Sequence, residues 1–326
     1  MKGKFWRGLI AVAAAAAMTF GVSAPAFADD ATATYDDMST VTITKSYELA
    51  GTGISPEETF YVTQTDSKVT DGDAKEAPKL TSISPLTFER GAAGDANKKT
   101  GQFTVTLPTY TKTGKYEYTL QETVGKTAGV TYRTKDIKLV VTVIEQNGLV
   151  RVAAVHCEDE GGAKTSSFAD NTYSAGTLNV SKTVAGNLGD KTKEFQFTVK
   201  FAAPEGKDWT RDITVTGGAS NLTWDGNTAT FTLSDGDNAS FANVPAGVTY
   251  TVDETDYSGD GYSTTGEVTS PTAMTKDGAN VNVTNTKTGT VDTGVLLNNA
   301  PYIAILGGAV VAGIYFVNRK KHEDMD

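Results

Sequence analysis

The sequence predicts an all-β chain built as two tandem β-sandwiches. Short stretches of alternating apolar and polar residues recur between about residues 41 and 286. Glycine and other turn residues separate them, and helix-period stretches are scarce between the two ends. With 39% hydrophobic residues in 326, the chain can fill more than one core.

The first 28 residues read as a secretory signal. Lys2, Lys4 and Arg7 form the basic region, an apolar run follows over 9–20, and Ala26-Phe27-Ala28 is a small-x-small cleavage site. The mature chain is expected to begin at Asp29. A polar leader is expected over 29–39.

Strands are then expected at 41–49, 58–64, 101–106, 115–121, 137–145 and 149–155. Residues 68–79 are charged and lack apolar period, which reads as a surface loop, as does Gly91-Ala92-Ala93-Gly94. Residues 174–176 read as a short joint. Beyond it, strands are expected at 178–184, 194–201, 212–216, 228–233, 239–241, 249–253 and 280–284. Asn243-Val244-Pro245-Ala246-Gly247 reads as a turn. Short strands at this spacing suggest sandwiches of immunoglobulin type. The expected domains are 29–173 and 174–289.

A second apolar run, 300–317, ends on Arg319-Lys320-Lys321. Its eighteen residues approach the length that crosses a bilayer, with the basic cluster on the cytoplasmic side. The leader holds three bases and no acids and residues 294–326 three of each, leaving 23 bases and 36 acids in 29–293. So acidic a surface argues against nucleic-acid binding and suits an extracellular protein. Cys157 is the only cysteine, so no internal disulfide can brace the fold. It reads either as a small buried hydrophobe or as half of an intermolecular disulfide.

The alternation places ionisable groups on apolar faces. Leu178, Val180, Lys182 and Val184 share one side of a strand, and Val41, Ile43, Lys45, Tyr47 and Leu49 share another. Tyr118, Leu120 and Glu122 form a third such face, and Tyr250, Val252 and Glu254 a fourth. The last strand of each domain ends on an asparagine, Asn171 or Asn285, the latter in line with Val281 and Val283. Each domain therefore offers an inward lysine, an inward glutamate and a terminal asparagine.

Lysine and asparagine can condense to an amide with loss of ammonia. Apolar burial favours the neutral, nucleophilic amine, and a buried glutamate can hold and return the proton. Lys45, Glu122 and Asn171 fit these roles in one domain, and Lys182, Glu254 and Asn285 in the other. Such a single-turnover reaction would not make the protein an enzyme. The competing reading is that the lysines reach the sheet edge and merely pair with the glutamates.

Other chemistry finds little support. His156 and His322 are the only histidines, so no metal site or Ser-His-Asp set is indicated, and no cofactor is expected. A two-carboxylate hydrolase lacks any suggested aromatic-lined site.

At this point the chain resembles a known family, the sortase-assembled major (backbone) pilins of Gram-positive bacteria, especially the two-domain T-antigen type. The strand 178–186, the run Tyr250-Thr251-Val252-Asp253-Glu254, the ending Val283-Thr284-Asn285 and the tail carry the resemblance. It implies CnaB-type sandwiches, each closed by an intramolecular Lys–Asn isopeptide bond. In the first domain the family's Phe-x-Asn is here Phe168-Ala169-Asp170-Asn171. Asn171 keeps the family spacing to Leu178 and is preferred, with Asp170 second.

The family's tail implies a sortase motif at 290–294, Thr290-Val291-Asp292-Thr293-Gly294, with Asp292 where the family has proline. It implies cleavage between Thr293 and Gly294 and a hydrophobic span and basic tail at 295–326. The implied partners are a sortase, identical subunits, and peptidoglycan through a base subunit, with membrane contact only in the precursor. Lys164 is the implied acceptor of the next subunit's Thr293, ahead of Lys112, Lys115 and Lys126. The expected function is a subunit of a covalent cell-surface pilus. A monomeric wall-anchored adhesin or stalk would use the same tail and bonds.

Overall fold

The computed structural model describes residues 38–91 and 98–290. The expected signal, the apolar tail and four residues of the sortase motif lie outside them. Among the described residues the structure is all-β, its one helical element being a 3-10 turn, Ser258–Asp260. No helix of these residues is long and apolar enough to cross a membrane.

One strand organises the molecule. Ser167–Ala185 runs for 19 residues and belongs to both halves. Its first part lies parallel to the opening strand Thr40–Gly51. Its second part lies between Asn238–Pro245, antiparallel, and the last strand Ala279–Thr286, parallel. Residues 174–176, expected as a joint, are strand. Small residues there allow close approach: a side chain on Gly176 would sit 2.2 Å from the Thr275 carbonyl oxygen. Hydrogen-bonding neighbours carry the strand on through these residues, with a register shift between Gly176 and Leu178 against Asn238–Pro245.

In the first half, the opening strand pairs on its other edge with Lys98–Thr106. The facing sheet runs in the order Lys164–Thr165, Leu149–Glu158, Ile137–Gln146, Gly114–Glu122 and Val62–Gly72. Ile43, Tyr47 and Phe103 from one sheet meet Tyr118, Leu120 and Leu139 from the other in one buried cluster. In the second half, Ser220–Asp225, Thr228–Leu233, Phe195–Ala202, Thr249–Glu254 and Val268–Ala273 form the facing sheet. Its inward Phe197, Val199 and Val252 pack on Leu178, Val180, Phe241 and Val283. The period-2 burial follows directly from the pleat.

Several expectations change. Part of the expected loop 68–79 is strand, because Val62–Gly72 pairs with Gly114–Glu122 as far as Gly72. It is an edge strand, so its exposed charges do not prevent a backbone ladder. The expected turn 243–247 is confined to Ala246-Gly247, closed by the Val248 N–H on the Pro245 carbonyl at 3.1 Å, while Asn243 and Pro245 lie in strand Asn238–Pro245. Asn243 adopts a left-handed backbone (φ 66°) and accepts a hydrogen bond from the Ile54 N–H at 3.0 Å. Its side-chain nitrogen donates to the Asp212 carbonyl at 3.0 Å, and Arg90 pairs with the Asp212 carboxylate at 2.7 Å. These bonds tie the two halves together beside the shared strand. Ser220–Asp225 and Val268–Ala273 were not legible because they are mostly exposed and lack apolar alternation.

Cys157 lies in the first core, fully buried. Burial pushes its thiol up to about 12, so thiolate is negligible at neutral pH. A thiol reagent should leave the folded protein unlabelled and modify one cysteine after denaturation. Labelling without unfolding would contradict this placement.

Candidate functional site

In the second half, Lys182 projects inward from the shared strand. Its Nζ lies 4.1 Å from the centre of the Phe195 ring and 5.6 Å from that of Phe197. Glu254 closes the strand that pairs with these phenylalanines, opposite Phe197. The Lys182 ammonium and the Glu254 Oε2 are 2.5 Å apart, and both side chains are fully buried. Val184 faces Asn285 across the parallel ladder, one step along from Lys182 on the same face. Asn285 Nδ2 donates to Glu254 Oε1, so one carboxyl group bridges amine and carboxamide. Asn285 Oδ1 is buried without a hydrogen-bond partner among the described residues. An orphaned carbonyl oxygen in an apolar layer is costly.

Burial lowers the Lys182 amine, against the opposing pull of Glu254. Burial likewise raises the Glu254 carboxyl, against the opposing effects of Lys182 and Asn285. Glu267 adds to this, its Oε1 accepting the Glu254 backbone N–H at 2.8 Å while its charge raises Glu254 further. Desolvation thus drives both groups toward their neutral forms, the state in which an amine can attack and a carboxylic acid can donate.

The first half repeats the arrangement with one irregularity. Lys45 Nζ lies 2.5 Å from Glu122 Oε2 and donates to Asn171 Oδ1, and Asn171 Nδ2 donates to Glu122 Oε1 at 2.5 Å. Phe60 lies 5.3 Å from the amine. Burial lowers the Lys45 amine against the pull of Glu122, and the Arg133 charge lowers it further. In the ladder Lys45 faces Phe168 and Tyr47 faces Asn171, with a bulge between them. Three residues of the shared strand thus answer two of the opening strand. Simple alternation from Phe168 would send Asp170 inward. The inserted residue instead turns Asn171 in and leaves Asp170 partly exposed.

A family model described as a Spy0128-like isopeptide containing domain matches residues 41–174, and one described as a domain of unknown function matches 176–287. A pilin of Streptococcus pyogenes serotype M1 is 29% identical over 309 residues, spanning 86% of this chain and 90% of that protein. The chain is a pilin homologue. It is accordingly a structural subunit of a cell-surface pilus. The crystal structure of the major pilin from Streptococcus pyogenes shares the pilin homologue's fold. It superposes with a TM-score of 0.53 at 24% identity over 77% of this chain and 99% of that one. The pilus tip adhesin Cpa of Streptococcus pyogenes is 37% identical over 78 residues, 24% of the pilin homologue and 11% of the adhesin.

The structure brings Lys45, Glu122 and Asn171 together, and separately Lys182, Glu254 and Asn285. Lys164 stands apart from both sets. It is exposed, on the short strand Lys164–Thr165 rather than in a loop, opposite Glu158. Thr293 and Gly294 lie outside the described residues. Sequence reasoning missed the phenylalanines beside the amines, together with Arg133 and Glu267. Phe195 and Phe197 do alternate within an expected strand, but nothing local tells which lysine that strand will face.

If burial sets the reaction, opening the apolar wall should slow it. Phe195→Ser should leave a substantial fraction of molecules heavier by one ammonia, measured by intact mass on freshly made protein. Complete linkage at the normal rate would show that this ring contributes nothing.

Proposed function

We propose that this pilin homologue is the repeating subunit of a covalent pilus, each half closed by its own Lys–Asn isopeptide bond. The neutral amine of Lys45 or Lys182 attacks the asparagine side-chain carbonyl carbon. The carboxyl group of Glu122 or Glu254 gives a proton to the departing nitrogen and takes one back from the attacking amine. One C–N bond forms, one breaks, and ammonia leaves. Each glutamate ends as it began.

The observation that carries this reading is the recurrence of one arrangement on one strand, since Asn171 and Lys182 both lie on Ser167–Ala185. Tension entering through the opening strand would pass by Lys45–Asn171 into the shared strand. It would leave by Lys182–Asn285 into the last strand, so covalent bonds carry the load without strand separation.

Assembly would follow from the two ends. A pair of hydrogen bonds between Asn187 and Gly289, at 2.7 and 3.1 Å, holds the chain just before the sortase motif to the second half. Lys164 belongs to the first half. A sortase thioester at Thr293, resolved by Lys164 of a neighbour, would therefore build a head-to-tail polymer. Secretion through the 1–28 signal, temporary anchoring by 295–326 and final attachment to peptidoglycan through a base subunit complete the proposal.

Intact mass should show the polypeptide lighter than its translated sequence by two ammonia molecules. Digestion of polymer should release a branched peptide joining the Thr293 carboxyl to Lys164 Nζ. The stretch shared with a pilus tip adhesin supports a pilus component, and the reading it competes with is a monomeric wall-anchored adhesin or stalk. Thr293 linked only to peptidoglycan would decide for that reading.

A further inference from the structure

Asp170 and Asn171 are neighbours, and either could acylate the Lys45 amine. We infer that Arg133 selects between them, pinning Asp170 outside the core so that Asn171 occupies the reacting position. The inference deepens the isopeptide reading and rests on it.

Arg133 is buried, its side chain only 4% exposed. Its Nη1 donates to the Asp170 carboxylate, and its guanidinium lies 4.8 Å from the centre of the Phe168 ring. It therefore touches the residue just before the bulge and the residue turned out by it. Its backbone N–H donates to Glu122 Oε1 at 3.2 Å, the same oxygen that receives Asn171 Nδ2.

Arg133 is itself held in place. Its Nε donates to the Lys135 carbonyl at 2.9 Å, and its Nη2 donates to the Asp136 carbonyl at 3.1 Å and to Glu160 at 2.9 Å. Turning Asp170 inward would break the guanidinium–carboxylate pair and place a second carboxyl beside Lys45 and Glu122. A charge-assisted pair at a buried guanidinium is among the stronger hydrogen-bonded contacts, so the pair holds the bulge in its register. Arg133 is a positioning residue, because it touches neither the amine nor the reacting carbon. Its nearby charge also favours the neutral form of Lys45.

The two products differ chemically. Attack on Asn171 forms the amide and expels ammonia. Attack on a protonated Asp170 forms the amide and expels water, with Glu122 again moving the proton. Mapping the peptide that contains Lys45 in the full-length protein separates the two. The unaltered protein should be joined at 171 alone.

In Arg133→Met the preference for 171 should fall at least roughly tenfold, a change of about 1.4 kcal/mol, with water-loss product at 170 appearing. Arg133→Met combined with Asp170→Ala should restore linkage at 171 alone, a rescue that a merely structural role would not give. Should Arg133→Met not fold, Asp170→Asn decides with Arg133 intact. It removes the ion pair, and linkage should divide between 170 and 171. Linkage at 171 alone, or none, in whichever of these two variants folds would overturn the role of Arg133. No linkage of Lys45 in the unaltered protein would instead overturn the underlying isopeptide reading.

Discussion

Replacing Glu254 by glutamine should yield a protein that retains one ammonia more than the parent does, and is much less heat-stable. Glutamine keeps the size and hydrogen-bonding reach of the side chain but cannot shuttle the proton, so Lys182 and Asn285 should stay separate. They are 103 residues apart in sequence. Treated like a disulfide in the chain-entropy model, a bond closing that loop contributes about 4–5 kcal/mol. For a unit of this size each kcal/mol moves the melting point by about 4 °C, so calorimetry should show the second half melting about 20 °C lower. A variant that still loses both ammonia molecules relative to its own sequence and melts like the parent would exclude Glu254 from the chemistry.

The same variant carries a pH signature. Its Lys182 amine survives, buried, without the Glu254 carboxylate, and Glu267 is left as the acidic group acting on it. The folded state disfavours the charged form, whereas the unfolded chain binds that proton up to about pH 10.4. Where the unfolded state then holds more protons, stability should rise with pH toward the unfolded value of about 10.4, by at most about 1.4 kcal/mol per unit. The parent protein, its amine consumed, should lack this slope when the two are compared over the same range.

Lys164→Ala should abolish polymerisation without affecting the subunit itself. Extracts should change from a ladder of covalent multimers to a single band. The monomer's mass should still show two ammonia losses, and its melting should be unchanged, since Lys164 is exposed and lies apart from both buried sets. A ladder that survives would move the linkage elsewhere. Lys115 is a poorer acceptor, its amine lying 3.4 Å from Glu117. Lys126 is exposed and would be the next variant to make.

The second Lys–Glu–Asn set was the more legible in sequence. Val180, Lys182 and Val184, like Val281, Val283 and Asn285, alternate without interruption, and a regular strand turns every second side chain the same way. The first set was harder. Alternation alone would have pointed Phe168 and Asp170 inward. The preference for Asn171 came from resemblance, and the physical cause is a bulge that depends on the partner strand and on Arg133. A bulge leaves little local mark, because it is a mismatch between two segments over a hundred residues apart.

What the residues by themselves determined was the β character, the inward faces and the inward lysine, glutamate and asparagine, all of which follow from a period of two along a single strand. Only the tertiary structure decided that residues 174–176 continue a strand rather than end one, that Asp170 faces out, and which aromatic rings close over the amines. The reason is the same in each case. Strand pairing satisfies backbone groups with partners remote in sequence, and the register of that pairing is a property of two segments that neither encodes alone.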